Sequence, residues 1–199
     1  MIPRYAVVAI GTSWGGLAAM TKLLGELPLE FSIPIVIVQH RSKDSERLLA
    51  RLLQDATDLS VCEIEDKDAL SPGTVHLAPA NYHVMVEEGH FSLTIEEPVR
   101  FSRPSIDVMF TSAADTYGAR AIGVVLTGAN EDGSRGLKDI VKRGGRALVQ
   151  DPKSAEIPVM PEAALKAVPT AEVLRLEAIA PRLIALSQES SRPARKTAV

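Results

Sequence analysis

The chain has 199 residues, 46% of them hydrophobic and 24% charged, with a formal net charge of -3. That length suits one well-buried domain, and the near balance of charge excludes the basic excess of a nucleic-acid-binding surface. A single cysteine, Cys62, excludes an intrachain disulfide; with no apolar run long enough for a bilayer, the expectation is a cytoplasmic protein without membrane insertion.

The run Ala6–Ile10 reads as a buried strand broken by Gly11. Gly15 and Gly16 then open a helix whose apolar positions include Leu17, Met20, Leu23 and Leu24. Between them, Gly11-Thr12-Ser13-Trp14-Gly15 has the spacing of a nucleophile elbow, in which flanking glycines turn strand into helix and leave the serine hydroxyl exposed. The amides that follow, at a helix N-terminus, would face a developing negative charge. Strand, glycine loop and helix also open many nucleotide-binding folds. A non-catalytic Rossmann-like module holding a phosphate at Gly15-Gly16 is therefore the competing reading, although the segment is not G-x-G-x-x-G and Trp14 would crowd a pyrophosphate.

Ile33–Val38 predicts a second apolar strand, ending at Gln39-His40, and Ser45–Gln54 an amphipathic helix with Leu48, Leu49, Leu52 and Leu53 on one face and a serine cap. Short strands follow at Ser60–Glu65 and Val75–Ala78, either side of a turn at Ser71-Pro72-Gly73. Tyr82–Glu87 and Phe91–Glu96 alternate about Glu88-Gly89 and predict a hairpin, as an antiparallel insertion or edge. Beyond Pro104 a helix is expected over Ile106–Tyr117, then a strand over Ala121–Leu126, a helix over Gly133–Val141 and a strand over Arg146–Gln150. Pro161–Ala167 and Pro181–Ser187 predict two further helices. Residues 1–187 read as one domain and 188–199, rich in Ser, Arg and Lys, as a disordered tail. Apolar strands alternating with amphipathic helices imply an α/β fold, a parallel sheet covered on both faces.

Chemistry in such a sheet collects at the carboxyl ends of the strands. The first strand delivers Ser13, the second His40, and the third the loop Thr127–Gly133 with Asp132. A serine hydroxyl becomes a nucleophile when an imidazole takes its proton, and the imidazole needs a carboxylate on its other nitrogen. No histidine follows His90, so the order must be serine, histidine, acid. For the acid, Asp132 competes with Glu131, Asp139 and, as second choice, Asp151, and its place before Gly133 also suits a helix cap. His76 reads as a half-buried structural residue. His83 and His90 flank the hairpin with Glu87 and Glu88 between them; a metal site there is a minority reading, because no zinc-like spacing is present. Cys62 reads as a small hydrophobe with no activating partner, Arg103-Pro104-Ser105 as a turn and cap, and Trp14 as either pocket wall or packing residue.

The segments AVVAIGTSWGG, IVIVQH, SRPSIDVMF and GVVLTGANEDGSRGL, in this order and at these separations, resemble the catalytic domain of the chemotaxis protein-glutamate methylesterases, the CheB family. The resemblance runs from Arg4 to Leu186 and implies a doubly wound, mostly parallel Rossmann-like sheet. It places the family's triad on Ser13 (G-[AT]-S-x-G-G), His40 (V-x-Q-H) and Asp132 (T-G-x-x-x-D-G); with that triad, the expected oxyanion and pocket residues are those whose amides follow Ser13, Trp14 and Gly15, together with Ala129. It implies hydrolysis of γ-glutamyl methyl esters on the cytoplasmic helices of chemoreceptors, with glutamine deamidation beside it, and no metal or organic cofactor. Trp14 is bulkier than the family's usual residue, Arg41-Ser42 replaces Met-Pro after Gln39-His40, and Ala129 replaces a methionine. These departures bear on the substrate, so a serine esterase or deamidase with a non-chemoreceptor target is the alternative within the same chemistry. Many family members carry an N-terminal receiver domain. This chain begins almost at the first catalytic strand, which leaves two expectations open: a stand-alone form, for which a separate receiver or regulatory protein would be a candidate partner, or the catalytic piece of a longer protein.

Overall fold

The computed structural model describes residues 4–40, 48–99 and 101–189. The chain runs β1 (Val7–Thr12), α1 (Gly16–Gly25), β2 (Ile35–Gln39), α2 (Leu48–Gln54), β3 (Ser60–Glu63), β4 (Thr74–Leu77), β5 (His83–Glu87), β6 (His90–Thr94), α3 (Ile106–Tyr117), β7 (Ala121–Val125), α4 (Ser134–Lys142), β8 (Arg146–Gln150), α5 (Val159–Ala167), β9 (Glu172–Leu174) and α6 (Leu176–Ser187). Seven strands form one sheet in the order β3-β4-β2-β1-β7-β8-β9, with each neighbouring pair parallel. The expected α/β class and parallel sheet are what the chain adopts.

Alternation along the central strands feeds two cores. Val8, Ile10, Ile35, Ile37, Ile122 and Val124 face α1, α2 and α6, while Val7, Ala9, Val36, Val38, Ala121 and Val125 face α3, α4 and α5. Burial on both faces explains why these strands read as unbroken apolar runs. The hairpin β5–β6 is a separate two-stranded antiparallel sheet that packs on α3 through β5.

From β1 the chain moves to β2 on one side and later to β7 on the other, so strand order reverses at β1 and leaves a crevice beyond its carboxyl end. Backbone bonds tie the exits together: Ser13 N–H donates to Thr127 O at 3.0 Å, and His40 N–H to Thr12 O at 3.1 Å.

Several expectations need correction. β1 continues through Gly11 to Thr12. On α2 only Leu49 and Leu53 are buried; Leu48 and Leu52 are exposed, and the expected serine cap falls outside the described residues. Pro181 lies inside α6 rather than at its start. Burial of Ile179, Ala180, Leu183 and Leu186 outweighs a proline penalty of about 3 kcal/mol. Strand β9, absent from the expected elements, is three residues long and carries no apolar run that would mark it in the sequence. Glu189, at the expected start of the tail, pairs with Arg4 at 2.8 Å; residues 190–199 lie outside the described residues. Among the described residues, no helix is long and apolar enough to cross a membrane.

Candidate active site

The turn from β1 into α1 is made at Gly15, which caps the helix with φ 77°. Ser13 is not among the residues with positive φ, so the strain of a nucleophile elbow is absent from the serine itself. A Cβ on Gly15 would also lie 2.7 Å from a Glu156 carboxylate oxygen, which leaves glycine as the residue that fits. That carboxylate stands beside the N-cap of α1, where the competing reading needs a phosphate.

The Ser13 backbone is clamped. Its carbonyl accepts from Gln39 Nε2 at 2.7 Å and from Gly16 N–H at 3.0 Å. The backbone of Gly128 passes so close that a Cβ there would stand 3.0 Å from Ser13 Cβ. The Ser13 hydroxyl, by contrast, makes no hydrogen bond among the described residues.

On the other side of the site the order is tighter. Asp132 is buried, with 1% of its side chain exposed, and its Oδ2 lies 2.9 Å from His40 Nε2. The same carboxylate accepts from Ser105 Oγ (2.9 Å), Ile106 N–H (2.7 Å), Asp107 N–H (3.0 Å) and Gly133 N–H (3.0 Å). Asp132 therefore occupies the N-terminus of α3, whose first amides have no partner within the helix. Burial pushes its pKa up, but the bonds from His40 and from the Asp107 and Ile106 amides outweigh that and hold it below the ordinary carboxylate value. The alternative that Asp132 caps α4 fails: Gly133 is that cap and has no side-chain bond.

Asn130 completes a ring around the imidazole. Its Oδ1 accepts from Asp132 N–H at 3.1 Å, which fixes the amide so that Nδ2 faces His40 Nδ1 at 3.0 Å. Since Nδ2 can only donate, Nδ1 accepts, and the ring proton sits on Nε2 and is donated to Asp132. This tautomer makes Nδ1 the proton-accepting nitrogen.

An open cleft of about 810 Å³ holds Ser13 and His40 together, with Trp14, Leu17, Lys22 and Glu156 on its walls. Trp14 is 66% exposed and lines the cleft. Gly15 also lines the cleft; Ala129 is exposed on the β7 loop and is not among its lining residues. The rival acids point elsewhere. Glu131 is exposed, Asp139 accepts from Thr111 Oγ1, and Asp151 caps a 3₁₀ turn through Lys153 N–H. His83 Nδ1 accepts from Ser105 N–H and its other nitrogen donates to Glu97 O, while His90 Nδ1 lies 3.2 Å from Glu88 O. Among the described residues, no group of three or more His, Cys, Asp or Glu is placed to hold a metal.

Cys62 Sγ lies 3.4 Å from His76 Nδ1, a neighbour that does not activate it. Parallel pairing of β3 with β4 sets the two residues side by side. Burial and then the charge of Asp68 push the thiol pKa up, so the group stays protonated. His76 is more buried than expected, at 2% exposure, and accepts from Ser71 N–H at 3.2 Å.

Sequence reasoning missed Ser105, the α3 amides, Gln39 and Asn130 as parts of the site. Ser105 was visible as a helix cap, which it is for Val108 N–H; its hydroxyl proton goes to Asp132.

The model of the CheB methylesterase family matches residues 8–183. The chain is 46% identical over 188 residues to a Leptospira interrogans protein named as a candidate protein-glutamate methylesterase/protein-glutamine glutaminase, covering 94% of this chain and 97% of that one. It is 41% identical over 183 residues to protein-glutamate methylesterase FrzG of Myxococcus xanthus, covering 92% of this chain and 55% of FrzG. The crystal structure of the Thermotoga maritima CheB methylesterase catalytic domain superposes with a TM-score of 0.87 at 31% identity, covering 92% of this chain and 98% of that one. Because the family model, these relatives and that fold all span the segment carrying Ser13, His40 and Asp132, the chain belongs to the CheB methylesterase family, a family of carboxylic ester hydrolases.

Proposed function

We propose that the chain hydrolyses glutamyl methyl esters on the cytoplasmic helices of chemoreceptors through Ser13, His40 and Asp132. The observation that carries this reading is the His40–Asp132 bond at 2.9 Å, which turns His40 Nδ1 away from the carboxylate, in a cleft that Ser13 shares. Support for the substrate comes from relatives named for methylesterase and glutaminase activity on protein glutamate and glutamine. An open cleft also suits a side chain presented on a helix.

Ser13 Oγ attacks the ester carbonyl as its proton passes to His40 Nδ1. Asp132, still accepting from Nε2–H, stabilises the imidazolium. Amides at Trp14 and Gly15, both on the cleft wall, bind the oxyanion; losing one such donor costs about 3 kcal/mol of barrier. Collapse breaks the bond to the methoxy group, which takes the proton from Nδ1 and leaves as methanol. Water then adds to the acyl-serine with His40 again as base, and glutamate and the Ser13 hydroxyl are released. A glutamine side chain follows the same course with ammonia as leaving group.

The experiment is methanol release from methylated receptor by the wild type and by Ser13→Ala. The variant should lose at least about a thousandfold in rate. Full activity in Ser13→Ala would overturn the reading, and activity on small esters with none on receptor would move the target away from chemoreceptors.

A further inference from the structure

We propose that Asn130 is a positioning residue that holds the proton-accepting nitrogen of His40 in reserve until the Ser13 hydroxyl replaces it. The inference rests on the triad reading above and adds a residue to it. Three bonds close a ring: Asp132 N–H to Asn130 Oδ1, Asn130 Nδ2–H to His40 Nδ1, and His40 Nε2–H to Asp132 Oδ2. Asp132 N–H can only donate, so the Asn130 amide cannot turn over without losing its own bond. In a neutral imidazole Nδ1 offers one in-plane lone pair, and here Asn130 takes it at 3.0 Å. Ser13 Oγ–H needs that same lone pair to become a nucleophile. It has no partner among the described residues, although Ser13 and His40 share the cleft.

The two donors therefore compete, and reaction requires an exchange in which the amide leaves Nδ1 and the hydroxyl arrives. Asn130 is half-buried, so a released amide can bond to water. No proton moves in the exchange; transfer from Oγ to Nδ1 follows during attack. A neutral hydrogen bond of this kind has a modest net strength, which sets the size of the restraint at roughly two- to tenfold in rate.

Two substitutions separate this role from loop support. Asn130→Ala removes the competing donor. Asn130→Asp keeps an oxygen for Asp132 N–H but sets a carboxylate against Nδ1, which draws the imidazole proton to the nitrogen that must accept. The rate measured is inactivation by a small fluorophosphonate, which reads the serine without any receptor. Asn130→Ala should react roughly two- to tenfold faster than the wild type, and Asn130→Asp more slowly. A residue that only supported the loop would slow both variants.

The second measurement is long-range ¹H–¹⁵N NMR of His40 in the wild type, assigned by its loss in His40→Gln. It should show a protonated Nε2 and a bare Nδ1, and Asn130→Asp should move the proton to Nδ1. A proton on Nδ1 of the wild type overturns the proposal even if the variants fail to fold. So does an Asn130→Ala rate at or below the wild type in a protein that melts normally. Labelling that survives in Ser13→Ala would instead overturn the triad, so the two failures are distinct.

Discussion

Asp132 receives hydrogen bonds from His40, Ser105, Ile106, Asp107 and Gly133, whereas the Ser13 hydroxyl has no partner among the described residues. The carboxylate is buried against the first amides of α3; the hydroxyl opens on a cleft beside an exposed tryptophan. A charge that must stay ionised while buried has to be satisfied by the fold, so the acid is built into the N-terminus of α3. Under the proposed function, Ser13 is a nucleophile that must meet another protein's side chain, and such a group has to remain unsatisfied and reachable. The acid half of the site is thus also a structural element, and the serine half is not.

That contrast is open to direct attack. Replacing Asp132→Asn should lower methanol release by roughly ten-thousandfold, because the imidazole loses both its tautomer and its counter-charge. It should also destabilise the protein by about 2–4 kcal/mol, since an amide NH₂ faces donors that need an acceptor. Urea unfolding of Asp132→Asn beside Ser13→Ala checks this: the first should lose stability and the second should stay within about 0.5 kcal/mol of the wild type. Equal stabilities would erase the distinction.

Acid sharpens the same point. Asp132 is held below its ordinary pKa of 3.8 in the fold, so its stabilisation is complete above that value and disappears as pH falls through the lowered one. Unfolding measured against pH should therefore show a steeper acid loss in the wild type than in Asp132→Asn. Parallel profiles would mean that the carboxylate is not what the fold depends on.

The smallest effect belongs to Trp14. With Trp14 66% exposed, Trp14→Ala should change stability by less than about 0.5 kcal/mol. Its effect should fall on the cleft, as a rise of roughly tenfold in KM for methylated receptor with kcat little changed. A large loss of stability would instead make Trp14 a packing residue.

Much of this arrangement could be read from the chain alone, and the exceptions have physical causes. β1, β2 and β7 are apolar on both faces, so their ends, and with them Ser13, His40 and the Asp132 loop, stood out as abrupt changes of character. The bounds of α3 matched expectation because Ser105 and Pro104 mark its start clearly. What the α3 N-terminus holds was hidden, since Ile106 meets a carboxylate 26 residues further along the chain and no local pattern encodes that contact. The pairing of Cys62 with His76 was hidden for the same reason: it depends on the register of two short strands. Asn130 looked like an ordinary loop residue because its role exists only once the imidazole is beside it. The helical proline of α6 is a case where tertiary burial overrides local preference.

The most direct test is to label the protein with a fluorophosphonate and map the adduct by peptide mass spectrometry. The account predicts one adduct, on Ser13, formed in step with the loss of methanol release from methylated receptor and absent from His40→Gln. An unmodified Ser13 in fully inactivated protein, or an adduct on Ser13 that leaves methanol release intact, would contradict it.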